Sequence, residues 1–216
     1  MSLQFGAMLR IPFQPKKAFT RIEKNASFVD GVLMALILLV TCQALCIAIA
    51  AANAGSVVGG VSAVLSTGLW NMAFYVSVGM VLLFAVSGLS SALAGVMDGK
   101  KDFRKTVGVL GHGYVIVLLY SAITIAINTM FSAMLKAPYM YYSFGMAYAL
   151  FMFVLFCLFA GWTMWVHGTG VSVANGVSRG KGIAAYFVSA LIISVVIFLI
   201  FLFWLMSTAS MPVYYM

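Results

Sequence analysis

Residues 179–206 read RGKGIAAYFVSALIISVVIFLIFLFWLM. Two cations, Arg179 and Lys181, precede an uncharged run over 183–206. Crossing a hydrocarbon core takes about 20 apolar residues, so this run is long enough. It could hide inside a soluble protein only if the rest of the chain supplied polar cover. The rest does not: the 216 residues are 64% apolar and 7% charged, where soluble domains carry roughly 25% charge. Lipid must therefore be the solvent for most of the surface.

Working outward, four more stretches qualify as spans, over 31–52, 70–96, 107–130 and 144–167, with 183–206 the fifth. None carries Lys, Arg, Asp or Glu in its middle, and Pro12, Pro15, Pro138 and Pro212 all fall outside them. A backbone in lipid must satisfy its own hydrogen bonds. With no proline to force a break, five continuous helices are expected, without the half-helices of many transporters. The predicted fold is an all-α membrane protein, a bundle of five transmembrane helices with a short N-terminal interfacial helix. Residues 1–27 form a basic cytoplasmic segment, 28–210 the transmembrane domain and 211–216 an extracytoplasmic tail.

Charge sets the orientation. Arg10, Lys16, Lys17, Arg21 and Lys24 precede the first span. Lys100, Lys101, Arg104 and Lys105 follow the second, and Arg179 and Lys181 follow the fourth. The other side has only Lys136. Cations resist translocation, so the N-terminus is expected in the cytoplasm and the C-terminus outside. Trp70, Tyr139, Tyr141, Tyr142, Tyr214 and Tyr215 gather toward the outer interface, and Trp162, Trp165 and Tyr186 toward the inner one.

The same cations are the candidate binding groups. Over 15–26, proline opens a helix whose apolar face is Ala18, Phe19, Ile22 and Ala26, while Lys16, Lys17, Lys24 and Arg21 reach for headgroups. Lys100, Lys101, Arg104 and Lys105 add roughly 1 kcal/mol each near anionic lipid. Ser27 and Asp30 have the spacing of a capping box. Ser87, Gly88, Ser91, Ala92 and Gly95 are expected to be the main helix-packing seam, because small residues let membrane helices approach closely.

His112, Tyr114 and His167 fall in the inner leaflet, where an ionisable group suggests contact with lipid or a partner. Two histidines make a poor metal site. Cys42, Cys46 and Cys157 lie in apolar runs and read as packing residues. No metal and no cofactor are expected. The glycine-rich stretch over 168–181 ends in Gly180-Lys181 but has Asn175 and Gly182 where a phosphate loop needs glycine and a hydroxyl, so that motif is rejected. With Glu23 the only glutamate and no catalytic triad spacing, general acid–base chemistry has little to work with.

These features together resemble the Yip domain family, the Ypt/Rab-interacting integral membrane proteins. The resemblance rests on Pro15-Lys-Lys-Ala-Phe-Thr-Arg-Ile22, the charged loop over 98–105 and Gly108-Val-Leu-Gly-His-Gly-Tyr114. Gly161-Trp162 and Arg179-Gly-Lys181 complete it. It implies five spans with a cytoplasmic N-terminus. For eukaryotic members it also implies a Rab-type GTPase partner and a role in shaping or trafficking Golgi and endoplasmic-reticulum membranes. The chain lacks the long acidic leader, the Asp-Leu-Tyr-Gly-Pro segment and a third-span proline, where Val115, Ile116 and Val117 stand. Those departures count against a GTPase partner and favour a prokaryotic plasma membrane, with Golgi or endoplasmic reticulum as the alternative.

The expected function is a non-enzymatic scaffold that organises membranes through its basic cytoplasmic face. Anionic lipid headgroups are its expected partners, with self-assembly or assembly with another membrane protein, and no nucleic acid. The alternative is a small permease with a path near His112, Tyr114, Gln43 and Asn128, which requires a cavity between spans one, three and four.

Overall fold

A computed structural model describes residues 5–25, 27–54, 60–134 and 138–209. Lys136 and the 211–216 tail lie outside the described residues, as do Ala26 and the side chains of Tyr139, Tyr141 and Tyr142. Among the described residues there are helices and turns and no strand. The order is α1 (Phe5–Met8), α2 (Pro15–Asn25), α3 (Phe28–Ala54), α4 (Gly60–Val96), α5 (Phe103–Gly113), α6 (Val115–Met134), α7 (Pro138–Asn175) and α8 (Arg179–Ala209). Five spans result: α3, α4, α5 with α6, α7 and α8. At 1.5 Å per residue α4 and α7 are each about 55 Å long, well beyond a hydrocarbon core of roughly 30 Å.

The third span is not continuous, contrary to expectation. A turn at Tyr114 separates α5 from α6, although no proline is present. The Tyr114 amide donates to the Gly111 carbonyl at 3.4 Å, a tightened turn. Glycines at 111 and 113 precede it, and α3 and α7 pack closely against them. A methyl on Gly113 would lie 2.8 Å from His167 Nε2, and one on Gly111 would overlap the Gly31 carbonyl.

Packing is concentrated at the end of the bundle that carries the 97–102 and 176–178 turns. Met34, Leu83, Val107, Leu110, Val166 and Val171 are buried there. The far halves of the same helices expose large apolar side chains, among them Trp70, Phe74, Leu150, Phe153 and Phe203. Two backbone-to-backbone crossings anchor the packed end. Gly31 of α3 meets Gly108 and Gly111 of α5, where a methyl on Gly31 would lie 2.7 Å from two carbonyl oxygens. Gly168 of α7 meets Gly182 and Ile183 of α8, where a methyl on Gly168 would lie 2.7 Å from Ile183 Cγ1. Close backbone approach is how helices associate once lipid removes the hydrophobic drive.

The expected seam on α4 is placed as follows. Ser87 and Ser91 are buried, Ala92 and Gly95 are half-buried, and Gly88 lies opposite the Phe103 ring. The two crossings lie on other helices, between residues the sequence reading did not pair.

The N-terminal helices also differ from expectation. Ala18, Phe19 and Ile22 do not face lipid; they are 0–2% exposed. The Phe19 ring reaches Gly170 of α7, and Phe19 and Ile22 join Val109 of α5 and Val166 of α7 in one core. Burial against protein removes the same apolar area from water as burial in a headgroup layer would. Further upstream, Trp162 Nε1 donates to the Pro12 carbonyl at 3.1 Å, which pins the segment before α2 to α7. Trp162→Phe keeps the ring and removes the donor. The loss of about 1 kcal/mol should speed amide exchange over residues 6–13 roughly fivefold, with overall thermal stability unchanged. Hydrogen-exchange mass spectrometry in detergent is the measurement.

Candidate functional site: a basic end and an uncharged cavity

The turns at the packed end are built from matching caps. Gly99 N–H donates to the Ala94 carbonyl at 3.0 Å, and Val177 N–H to the Ser172 carbonyl at 3.1 Å. Asp98 and Gly176 each take φ near 68°. These are the long-range bonds and left-handed residues of Schellman caps ending α4 and α7. Lys181 Nζ completes the first cap, 2.9 Å from the Met97 carbonyl and 3.2 Å from Asp98 Oδ2.

Asn175 ties the two turns together, and sequence reading had considered it only as a failed phosphate-loop position. It is fully buried. Its Oδ1 accepts from Asp102 N–H at 3.2 Å, and its Nδ2 donates to Thr106 Oγ1 and the Val171 carbonyl, each at 3.0 Å. Its own carbonyl accepts from Lys100 N–H at 2.7 Å.

All four acids are engaged at this end. Glu23 pairs with Lys105 at 3.0 Å, and Asp98 with Lys181 at 3.2 Å. Asp102 caps α5 by accepting from Lys105 N–H at 2.9 Å. Asp30 and Ser27 form the expected reciprocal cap, with Ser27 N–H donating to Asp30 Oδ2 at 2.9 Å and Asp30 N–H to Ser27 Oγ at 3.2 Å. Of the eleven cations in the basic segments, two make ion pairs among the described residues. Arg10, Lys16, Lys17, Arg21, Lys24, Lys100, Lys101, Arg104 and Arg179 are exposed and unpaired. The Glu23–Lys105 pair and the Asn175 bonds bring α2 and the 97–105 and 176–181 segments to one end of the bundle.

The two histidines are separately held. His112 is fully buried, with Nδ1 2.8 Å from the Gly108 carbonyl and Nε2 without a partner. His167 Nδ1 is 3.1 Å from the Thr163 carbonyl, and its ring stacks on Tyr186 at 5.2 Å and meets Tyr114 edge-on at 6.3 Å. No hydrogen bond joins the two imidazoles. The Tyr114 hydroxyl crosses to α4 and donates to the Gly79 carbonyl at 2.9 Å. No three His, Cys, Asp or Glu side chains converge as metal ligands among the described residues.

Tyr114 and His167 line a cavity of about 410 Å³ that draws residues from all five spans and contains no charged side chain. His112, Gln43 and Asn128 are not in its wall. The permease alternative placed its path at those three residues together with Tyr114, and only Tyr114 is there. Asn128 lies exposed on α6, hydrogen-bonded to the Tyr148 hydroxyl.

The family model for the Yip1 domain matches residues 9–205. The chain belongs to the Yip1 family. No curated protein and no solved structure matched it. The match covers all five spans and begins upstream of α2, so the docked N-terminal segment is part of the Yip1 domain. This Yip1-family chain is an integral membrane protein with several apolar spans. The stretches on which the resemblance rested have physical roles here. Gly108 and Gly111 make the α3–α5 crossing, Trp162 pins the N-terminal segment, and Lys181 caps α4.

Proposed function

We propose that this Yip1-family protein is a non-enzymatic scaffold whose basic end faces the cytoplasm and gathers anionic lipid headgroups there. The carrying observation is the division of labour among its charges. The acids are engaged in caps and ion pairs, which leaves nine exposed cations without a counter-charge. Lys16 and Lys17 on α2, Lys100 and Lys101 before α5, and Arg104 on its first turn present their charge from a clasped, tightly packed base. Clasping holds the cations together without neutralising them, so attraction to an anionic surface is concentrated rather than spread. An organising role in the membrane agrees with the family and with an acid–base inventory limited to engaged carboxylates and two buried imidazoles.

The test is capture of anionic vesicles by the protein held in neutral nanodiscs at about 0.15 M salt. Changing Lys16, Lys17, Lys100, Lys101 and Arg104 together to glutamine removes roughly 1 kcal/mol per charge, so capture should weaken at least about a hundredfold. Raising salt should weaken the unaltered protein in the same direction, because exposed charges are screened. Capture that survives both changes would sink the proposal.

A further inference from the structure

A second, smaller cavity of about 270 Å³ adjoins the first, and Val117, Thr163, Tyr186 and Ala190 belong to the walls of both. We propose that the pair forms one binding site for a diacyl lipid with an uncharged, hydroxyl-bearing headgroup, a diacylglycerol. Shape, polarity and charge each point to that class.

The larger cavity is a slot along the helix axes. On α8 its wall runs from Tyr186 to Ile197, and on antiparallel α4 from Val86 to Tyr75. Each stretch rises about 16 Å, close to half of a hydrocarbon core of roughly 30 Å. The slot is therefore one leaflet deep, the reach of a single acyl chain. Tyr75, Val78 and Ile197 are exposed on the bundle surface, so the slot is reached from the lipid side. The smaller cavity, between Phe156, Phe159 and Met164, is apolar and lies across the shared wall, where a second chain fits.

Tyr75 and Ser194 lie toward the far end of the slot, and the other hydrogen-bonding side chains collect at the end nearer the basic turns. His167, Tyr186 and Thr163 meet there, beside Tyr114. His167 Nδ1 is held by the Thr163 carbonyl, which assigns its proton to that nitrogen and leaves Nε2 an acceptor. A headgroup hydroxyl can donate to such a nitrogen, and the tyrosine and threonine hydroxyls can answer. No cation or anion is in either wall. A phosphate placed there would be desolvated without a counter-charge, at a cost no neutral hydroxyl incurs. Two chain-sized slots with a common wall, a neutral polar end and lateral access describe a neutral diacyl lipid rather than a phospholipid or a single-chain amphiphile. The site is independent of the basic surface.

The full chain, reconstituted in phospholipid vesicles, is photolabelled with a diazirine-bearing diacylglycerol. A phosphatidylglycerol probe and a monoacylglycerol probe with matching chains run beside it. The diacylglycerol probe should label peptides containing residues 190–197 at least about tenfold above either comparison probe, and unlabelled diacylglycerol should compete. Ala190→Phe, which fills the shared wall, should remove most labelling without lowering thermal stability. Equal labelling by phosphatidylglycerol, equal labelling by monoacylglycerol, absence of competition, or labelling indifferent to Ala190→Phe overturns the assignment. Should that variant misfold, competition and probe selectivity on the unaltered chain decide alone.

Discussion

Gly31→Leu or Gly111→Leu should prevent the protein from being recovered as a folded species from detergent. Even alanine at either position should cost about 3 kcal/mol, the upper part of the range for overpacked sites. A methyl on Gly31 arrives 2.7 Å from the carbonyl oxygens of Val107 and Gly108. Carbonyl oxygens inside helices cannot swing aside as a side-chain tip can, so α3 and α5 must separate. Separation strips Met34, Val107 and Leu110 of their packing and draws Gly108 away from the Ser27 carbonyl. Gly145→Ala and Gly161→Ala are the controls, since a methyl there meets nothing within 4 Å. Thermal unfolding followed by size-exclusion recovery separates the two classes, and a Gly31→Ala protein as stable as the controls would refute the crossing.

The second large effect is expected at Asn175. Asn175→Ala removes the side-chain bonds to Asp102 N–H, the Thr106 hydroxyl and the Val171 carbonyl, at a cost of about 2 kcal/mol. Asn175→Asp should be worse despite its near-identical shape. It keeps the acceptor but places a carboxylate against the Val171 carbonyl in a fully buried site. Amide exchange over residues 97–102 should accelerate in both variants. Asn128→Ala, on the exposed face of α6, should change stability by less than about 0.5 kcal/mol. If Asn175→Asp proves as stable as the parent, the clasp does not hold the two turns.

Which of these features a reader of the sequence could see follows from how far apart the partners lie. The spans were legible because composition over a window of some twenty residues decides between water and lipid. The Ser27–Asp30 cap was legible because its partners are three residues apart. The Gly31–Gly108 and Gly168–Gly182 crossings were not, since a glycine does not announce which helix it faces. Gly108 and Gly111, one turn apart, were quoted as part of a family likeness and carried a packing signal that went unread. Attention went instead to the denser run of small residues on α4. The turn at Tyr114 was missed because proline was the only break considered, whereas it follows two glycines packed against Gly31 and His167. The cations were legible one by one; that the acids are all engaged became visible only when Glu23 and Lys105, 82 positions apart, were seen to touch.

Burial at one end of the bundle and exposure at the other give the molecule a graded stiffness. Glycine crossings, caps and the Asn175 bonds hold the basic end as a single block, while the distal halves of α4, α6, α7 and α8 expose most of their apolar side chains. A membrane that thins or thickens will therefore be matched by tilting those distal halves, each at a modest elastic cost. The block at the other end stays in register throughout, so four tilting legs share one hub and the protein can sit in bilayers of different depth without altering the surface it presents.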